Sequence, residues 1–334
     1  VSEVLRRHCL VAPDSFKGTF TAAQVAAAIG RGLEAAGEPP PDLCPVADGG
    51  EGTLSVLLTA LGGETGGAAV TGPLGVPLQA GFAVLEGGST AVVEVAAASG
   101  MGLVPDDQRN ADTAWRASSR GTGELIAAAA RTGAQVVLVA AGGSATTDGG
   151  AGAITAIADA GGLGGTTLVV LCDVRTPYAD AASVFAPQKG ADPATVTRLA
   201  QRLDAHARSL PRDPRHVPMS GAAGGLAGGL WAAFGAHLEA GAPFVLDAVD
   251  FDARLRGAHA LIVGEGRLDA QTLEGKILGV AAARARVAGI ACHAIVGQHA
   301  LDAAAARTLG LCSVREAASL DAIERGAQAL VSAL

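Results

Sequence analysis

The sequence predicts an α/β protein of two domains, one discontinuous and built from both ends of the chain, the other an α+β insertion. Three observations carry that reading. Short apolar runs alternate with amphipathic helical stretches near both termini. Gly87-Gly88, flanked by apolar runs, interrupts that rhythm as a hairpin would. Hydrophobic residues make up 49% of the 334 positions and charged ones 17%, which is ample for a core and too apolar for disorder.

Residues 9–12 read as a short strand ending at Pro13-Asp14. A helix follows over 21–36, with Thr21 and Gln24 as a capping box, Val25, Ile29 and Leu33 on one face, and Gly37 as its stop. A strand over 43–46 ends at Asp48, and a helix over 52–61 closes at Gly62-Gly63. From 68 to 101 the pattern turns antiparallel, with strands over 82–85 and 90–95. Helix 123–131 and strand 135–141 restore the alternation, and 168–172 is a fully apolar strand. Asp192 and Pro193 supply the N-cap and first-turn proline of a helix carrying Val196, Leu199 and Leu203. Residues 221–238 read as a Gly/Ala-rich helix, and 161–165 as a loop. The last quarter gives strand 260–263, helix 276–287, strand 292–296 and a closing helix over 320–333. A Rossmann-like domain over 1–64 and 258–334 is expected, with 65–257 inserted and the 123–141 unit able to join either. The active site is then expected in the cleft between them.

Composition narrows the function class. A net charge of −8, a pI near 5.4 and 3% aromatics offer neither a basic face nor stacking platforms, which argues against nucleic acid. The five cysteines are scattered, without a CxxC pair, and read as reduced thiols of a cytoplasmic protein. No apolar run reaches the roughly 18 residues of a membrane span, and the first residues lack a signal peptide's apolar stretch. The seven histidines show no zinc-like spacing, and none is given a catalytic role. Ile277 after Gly275-Lys276 rules out a Walker loop, and neither a protein-kinase set nor a GxSxG elbow occurs.

The informative pattern is a series of acidic turns. Asp14, Asp48, Asp148, Asp173 and Glu265 each follow a predicted strand, where open α/β sheets bind ligands. Gathered carboxylates repel one another unless a cation joins them, and Mg²⁺ is held by carboxylates together with substrate phosphates. Asp48-Gly49-Gly50-Glu51-Gly52, the run from Gly142 to Gly150 and Gly264-Glu265-Gly266-Arg267 each precede an expected helix. Free N–H groups there would face anionic oxygens. Lys17, Lys189, Lys276 and Arg267, set beside glycines, are the candidate cations for phosphoryl transfer.

Read together, these loops resemble the bacterial glycerate kinase family, of the glycerate 2-kinase type. The matching runs are Ala12-Pro13-Asp14-Ser15-Phe16-Lys17-Gly18, Pro45-Val46-Ala47-Asp48-Gly49-Gly50-Glu51-Gly52-Thr53 and Thr71-Gly72-Pro73-Leu74-Gly75. Further matches are Ser119-Arg120-Gly121-Thr122-Gly123-Glu124, Gly142-Gly143-Ser144-Ala145-Thr146, Pro187-Gln188-Lys189-Gly190, Gly221-Ala222-Ala223-Gly224-Gly225 and Gly264-Glu265-Gly266-Arg267-Leu268-Asp269. The set is ordered and specific. The resemblance implies phosphorylation of glycerate by ATP with Mg²⁺, giving 2-phosphoglycerate, in a two-domain α/β structure. Another small hydroxy acid, or a non-catalytic metabolite binder, is the alternative.

Chemistry distributes the roles. Lys17, Lys189 or Arg267 would hold substrate carboxylate and phosphates, and Asp48 or Asp173 would orient or deprotonate the hydroxyl. Asp148, Glu265 or Asp269 would hold Mg²⁺. Asp14, Ser15, Gly49, Gly50, Glu51, Gly142, Gly143, Ser144, Thr146, Gly224, Gly225 and Lys276 are the candidate binding residues. Monomer and homodimer both stay open. The sequence departs from the family pattern in a short 161–166 bridge, in Arg175-Thr176-Pro177-Tyr178, and in a compressed stretch after Gly297.

Overall fold

The structure, a computed structural model, describes residues 8–269, 272 and 275–334. The chain begins with β1 (His8–Pro13), α1 (Ala22–Ala35), β2 (Asp42–Leu43) and α2 (Thr53–Leu61). Next come β3 (Gly63–Thr71), β4 (Pro77–Leu85), β5 (Thr90–Glu94), α3 (Val95–Ser99), α4 (Ala111–Arg116) and α5 (Arg120–Ala130). Then follow β6 (Val136–Ala140), α6 (Ala151–Asp159), β7 (Thr167–Cys172), α7 (Ala181–Phe185), α8 (Pro193–Ser209), α9 (Leu226–Phe234) and β8 (His237–Ala240). The last part holds α10 (Gly241–Ala248), α11 (Phe251–Gly257), β9 (Ala258–Leu268) and α12 (Ile277–Ala288). It closes with β10 (Ala291–His299), α13 (Ala303–Thr308), β11 (Leu311–Glu316) and α14 (Leu320–Leu330).

Two compact units result. Unit 1 comprises the described residues of Val1–Asp48 with Ala242–Leu334, and unit 2 is Gly49–Gly241. Residues 49–64, expected in the first domain, fall in unit 2 because α2 packs on β4 and β5. Residues 242–257 fall in unit 1, where α11 packs against β1, β9 and α12.

Unit 1 is a parallel sheet in the order β2-β1-β9-β10-β11. Counted within the unit this is 2-1-3-4-5, a doubly wound sheet whose order reverses between β1 and β9. Cys9, Val11, Ala260, Ile262 and Ile295 from the strands meet Val25, Ile29 and Leu33 of α1 and Ile323 and Leu330 of α14. The α1 capping box forms as expected, with Gln24 N donating to Thr21 Oγ1 at 3.2 Å and Thr21 N to Gln24 Oε1 at 2.9 Å. A Cβ on Gly32 would lie 2.2 Å from the Glu324 carbonyl, so only glycine lets α1 and α14 approach this closely. The strand expected over 43–46 shortens to Asp42–Leu43. Cys44 and Val46 still donate to Val11 and Pro13, but the intervening Pro45 has no N–H to give.

Unit 2 is a mixed sheet, β3-β4-β5-β6-β7-β8, with antiparallel pairing from β3 to β5 and parallel pairing from β5 to β8. Its core joins Val93, Val137, Val139, Leu168 and Val170 to Leu125, Ile126, Ile157, Leu226 and Leu230. The ends of the unit meet, since a Cβ on Gly49 would fall 2.6 Å from Gly241 Cα. The single helix expected over 221–238 breaks. Ala223 and Gly224 take φ of 51° and 66°, α9 ends at Phe234, and His237–Ala240 pairs with β7 as an edge strand. No helix among the described residues is long and apolar enough to cross a membrane.

Candidate active site

Within unit 1, Asp14 follows β1, Asp48 comes after β2, and Glu265 lies near the end of β9. Three acids therefore converge beyond the carboxyl ends of parallel strands at the switch point, where such sheets bind ligands. All three are buried, at 5%, 2% and 5% exposure. With Ser15, Lys17, Arg267 and Lys276 they line a pocket of 360 Å³. Phe16 and Phe20 give it an apolar wall, and Gln298 a neutral polar group.

Lys17 reaches in from solvent, half-exposed, and its Nζ donates to Asp48 Oδ2 at 3.0 Å. Burial, then the charge of Asp48, pushes the Asp14 carboxyl up to about 8, against the pull of Lys17 and a 2.6 Å bond from Ser15 N. Burial also pushes Glu265 up to about 7, although Thr272 Oγ1 donates to its Oε1 at 2.6 Å and Lys276 opposes the shift. Carboxyls whose charged forms burial disfavours this strongly form a donor set suited to a divalent cation. Arg267 is exposed and stands 3.5 Å from Asp269, whose N–H meets Thr272 Oγ1 at 3.3 Å.

Within unit 2, a smaller pocket of 90 Å³ opens beyond the ends of β6 and β7. Gly142, Gly143, Ser144, Asp173, Lys189 and Gly224 line it. Lys189 is 5% exposed, and its Nζ donates to Ser144 Oγ at 3.0 Å and to the Thr146 carbonyl at 2.5 Å. Burial draws its ammonium down to about 7, opposed by the charges of Asp148 and Asp173. Gly224 has φ of 66°, and a Cβ there would lie 1.9 Å from the Thr146 carbonyl, so the loop that backs Lys189 needs a glycine.

Other expected residues stand behind these pockets. Gly50 packs on Gly142, Thr146 is buried beneath Lys189, and Gly225 lies against the Tyr178 ring and Gly149. Gly49 touches Gly241 and Leu171, and Glu51 is exposed with a carboxylate oxygen near Gly143.

Three expectations about helix starts are corrected. The first-turn amides of α2 do not await a ligand, because Glu94 Oε1 accepts from Gly52 N at 2.9 Å and Leu54 N at 2.8 Å. Those of α6 are likewise taken. Asp148 Oδ2 accepts from Ser119 N, Ser119 Oγ and Gly152 N, and its Oδ1 accepts from Gly150 N. With four donors on its two oxygens, Asp148 clasps the α6 loop rather than offering itself as a metal ligand. The 264–267 run lies inside β9 rather than in a turn at a helix start.

A family model described as the glycerate kinase family matches residues 9–162 and 159–333. The chain belongs to the glycerate kinase family. The glycerate kinase of Bacillus subtilis (strain 168) is 40% identical over 312 residues, 82% of this chain and 81% of that protein. The glycerate 2-kinase of Escherichia coli (strain K12) is 37% identical over 343 residues, 88% of each. A crystal structure from Salmonella typhimurium LT2, assigned as a glycerate kinase 2, superposes with a TM-score of 0.79 at 32% identity, spanning 98% of this chain and 97% of that one.

Two departures from the glycerate kinase pattern fall away from the pockets' polar groups. Tyr178 of the 175–178 loop is fully buried and packs against Gly149, Gly225 and Gly228. The short 161–166 bridge precedes β7 and lines a surface hollow with Ala134 and Gln135, at the amino ends of β6 and β7. Sequence reasoning gave no role to Glu94, Ser119 or Thr272, which hold α2, Asp148 and Glu265. For Glu94 a signal existed: a lone acid closing the apolar run Thr90-Ala91-Val92-Val93 must find donors.

Proposed function

We propose that this glycerate kinase family member transfers the γ-phosphoryl group of ATP to glycerate, giving 2-phosphoglycerate and ADP, with Mg²⁺ as cofactor. The observation that carries the reading is the convergence of Asp14, Asp48 and Glu265 beside Lys17 at the switch point of unit 1. Asp14 and Glu265 would hold Mg²⁺, which would offset the burial that disfavours their charged forms. When bound, the ion neutralises phosphate charge and orients the triphosphate. Lys17 and Arg267 add positive charge around the transferred group. Asp48 takes the hydroxyl proton as the glycerate oxygen bonds to the γ-phosphorus and the bond from that phosphorus to the ADP oxygen breaks. Lys189, with the glycine loop at Gly142 and Gly143, supplies a pocket for an anionic oxygen group in unit 2. The five free thiols suit a reducing compartment, and the cytoplasm is the proposed location.

A coupled ADP-release assay with D-glycerate, L-glycerate, glycolate and tartronate tests the reading, with phosphorus NMR to identify the product. Turnover on a glycerate enantiomer that stops with EDTA and returns with Mg²⁺ is expected. Folded protein without turnover on any of the four substrates overturns it.

A further inference from the structure

We propose that Cys9 Sγ, Glu38 Oε2 and His259 Nε2 form a zinc(II) site at the amino edge of the unit 1 sheet, with solvent completing the tetrahedron. One ligand atom from each residue lies within 4.8 Å of the other two. Cys9 Sγ is 3.6 Å from His259 Nε2, and His259 Nε2 is 3.8 Å from Glu38 Oε2. Tetrahedral zinc, with bonds of about 2.3 Å to sulfur and about 2.1 Å to nitrogen and oxygen, sets such pairs about 3.6 Å and about 3.4 Å apart. The first separation already fits, and the second needs a small rotation of one side chain.

Each ligand is fixed by a different backbone device. Cys9 sits in β1, an interior strand held between β2 and β9. Glu38 follows Gly37, whose φ of 91° closes α1 in a Schellman turn: Gly37 N donates to Glu34 O and Glu38 N to Leu33 O. His259 lies where the β1–β9 register jumps, since His8 pairs with Ala258 but Cys9 with Ala260. That bulge leaves His259 outside the ladder, and bulges are a common means of re-aiming a side chain. The histidines carry no metal-binding spacing in the sequence; the fold brings together residues 250 positions apart.

The donor set is one thiolate, one imidazole and one carboxylate, which favours zinc over the oxygen-loving Mg²⁺. Two ligand charges balance the dication, and the thiol proton leaves to solvent on coordination. His259 and Glu38, at 26% and 21% side-chain exposure, give the ion a way in past the buried Cys9. Asp14 lies five residues on from Cys9, just past the end of β1 and about 16 Å away at strand rise, so the two sites are separate.

The test uses the full chain stripped with chelator and titrated with Co²⁺ and then Zn²⁺. One equivalent of Co²⁺ should give a thiolate-to-cobalt charge-transfer band and the visible bands of a tetrahedral ion, and Zn²⁺ should displace them. Cys9→Ser and His259→Ala should abolish the charge-transfer band, while Cys312→Ser, which alters an exposed thiol, should keep it. Glu38→Gln, a surface change that spares the fold, should weaken Zn²⁺ binding more than about tenfold in a chelator competition. His259→Ala should retain its ATP-dependent turnover, which separates this site from the proposed reaction. Absence of a charge-transfer band, or a band that survives His259→Ala, overturns the proposal.

Discussion

Asp48 and Asp148 begin the same tripeptide, Asp-Gly-Gly, and both are buried, yet their neighbours divide them. Asp48 faces Lys17 and stands among other acids, whereas Asp148 is saturated by amide and hydroxyl donors. Asp48→Asn should therefore lower kcat by about 10²–10⁴-fold, the usual worth of a general base. Its melting temperature should change little, because loss of the Lys17 pair is offset by removal of a charge that opposes ionisation of Asp14 and Glu265. Asp148→Asn should do the reverse, losing at least about 2 kcal/mol in denaturant titration as amide donors meet an NH₂ group. Lys189 gives a pH signature. Its pKa falls from 10.5 unfolded to about 7 folded, so the folded chain holds fewer protons between those values. Stability from this group is full above 10.5 and lost as pH falls through 7. Comparing wild type with Lys189→Met from pH 6 to 10, the wild type should gain relative stability with rising pH; a constant difference counts against a titrating lysine. The repeated tripeptide also marks where sequence reasoning stops. The two aspartates were legible as important, but their division of labour depends on Ser119 and Lys17, each about 30 positions away.

At the scale of elements, carboxylates do the fastening that the glycine-rich turns leave undone. Gly52 and Gly150 enter α2 and α6 in left-handed conformation without a side-chain cap of their own, so Glu94 serves α2 from a distant strand and Asp148 serves α6 from the preceding loop. Glu94→Ala should cost about 1–2 kcal/mol, the scale of a lost N-cap, and speed hydrogen exchange at Gly52 and Leu54. Gly32→Ala should cost about 1–3 kcal/mol by pushing α1 off α14, which thermal melts would register. Regular helices were legible: α1 and α12 lie within two residues of their expected bounds, and α8 starts at its expected Asp192 cap. β3 went unread in part because Gly66 and Gly67 erase the alternation. A Cβ on Gly66 would sit 2.6 Å from the Phe82 ring, so the cross-strand aromatic occupies the vacant space. β8 spans four residues after a helix, too short for any period to show.

Over the whole molecule, the break between units follows from where each segment finds its sheet. β1 pairs with β9 some 250 residues later, while all six strands of unit 2 find partners inside Gly49–Gly241. The interrupted rhythm of the sequence disclosed an insertion, but strand order was not legible, because it depends on long-range pairing that leaves no local mark. Residues 49–241 expressed alone should fold cooperatively, with native-like circular dichroism and a single denaturant transition; an unfolded fragment contradicts a self-sufficient core. The touching ends at Gly49 and Gly241 add a further consequence. A segment whose first and last residues are neighbours can be excised, or joined head to tail and reopened elsewhere, without stretching its backbone. To the engineer this stretch of about 190 residues is a cassette with a single plug, open to circular permutation and to transplantation.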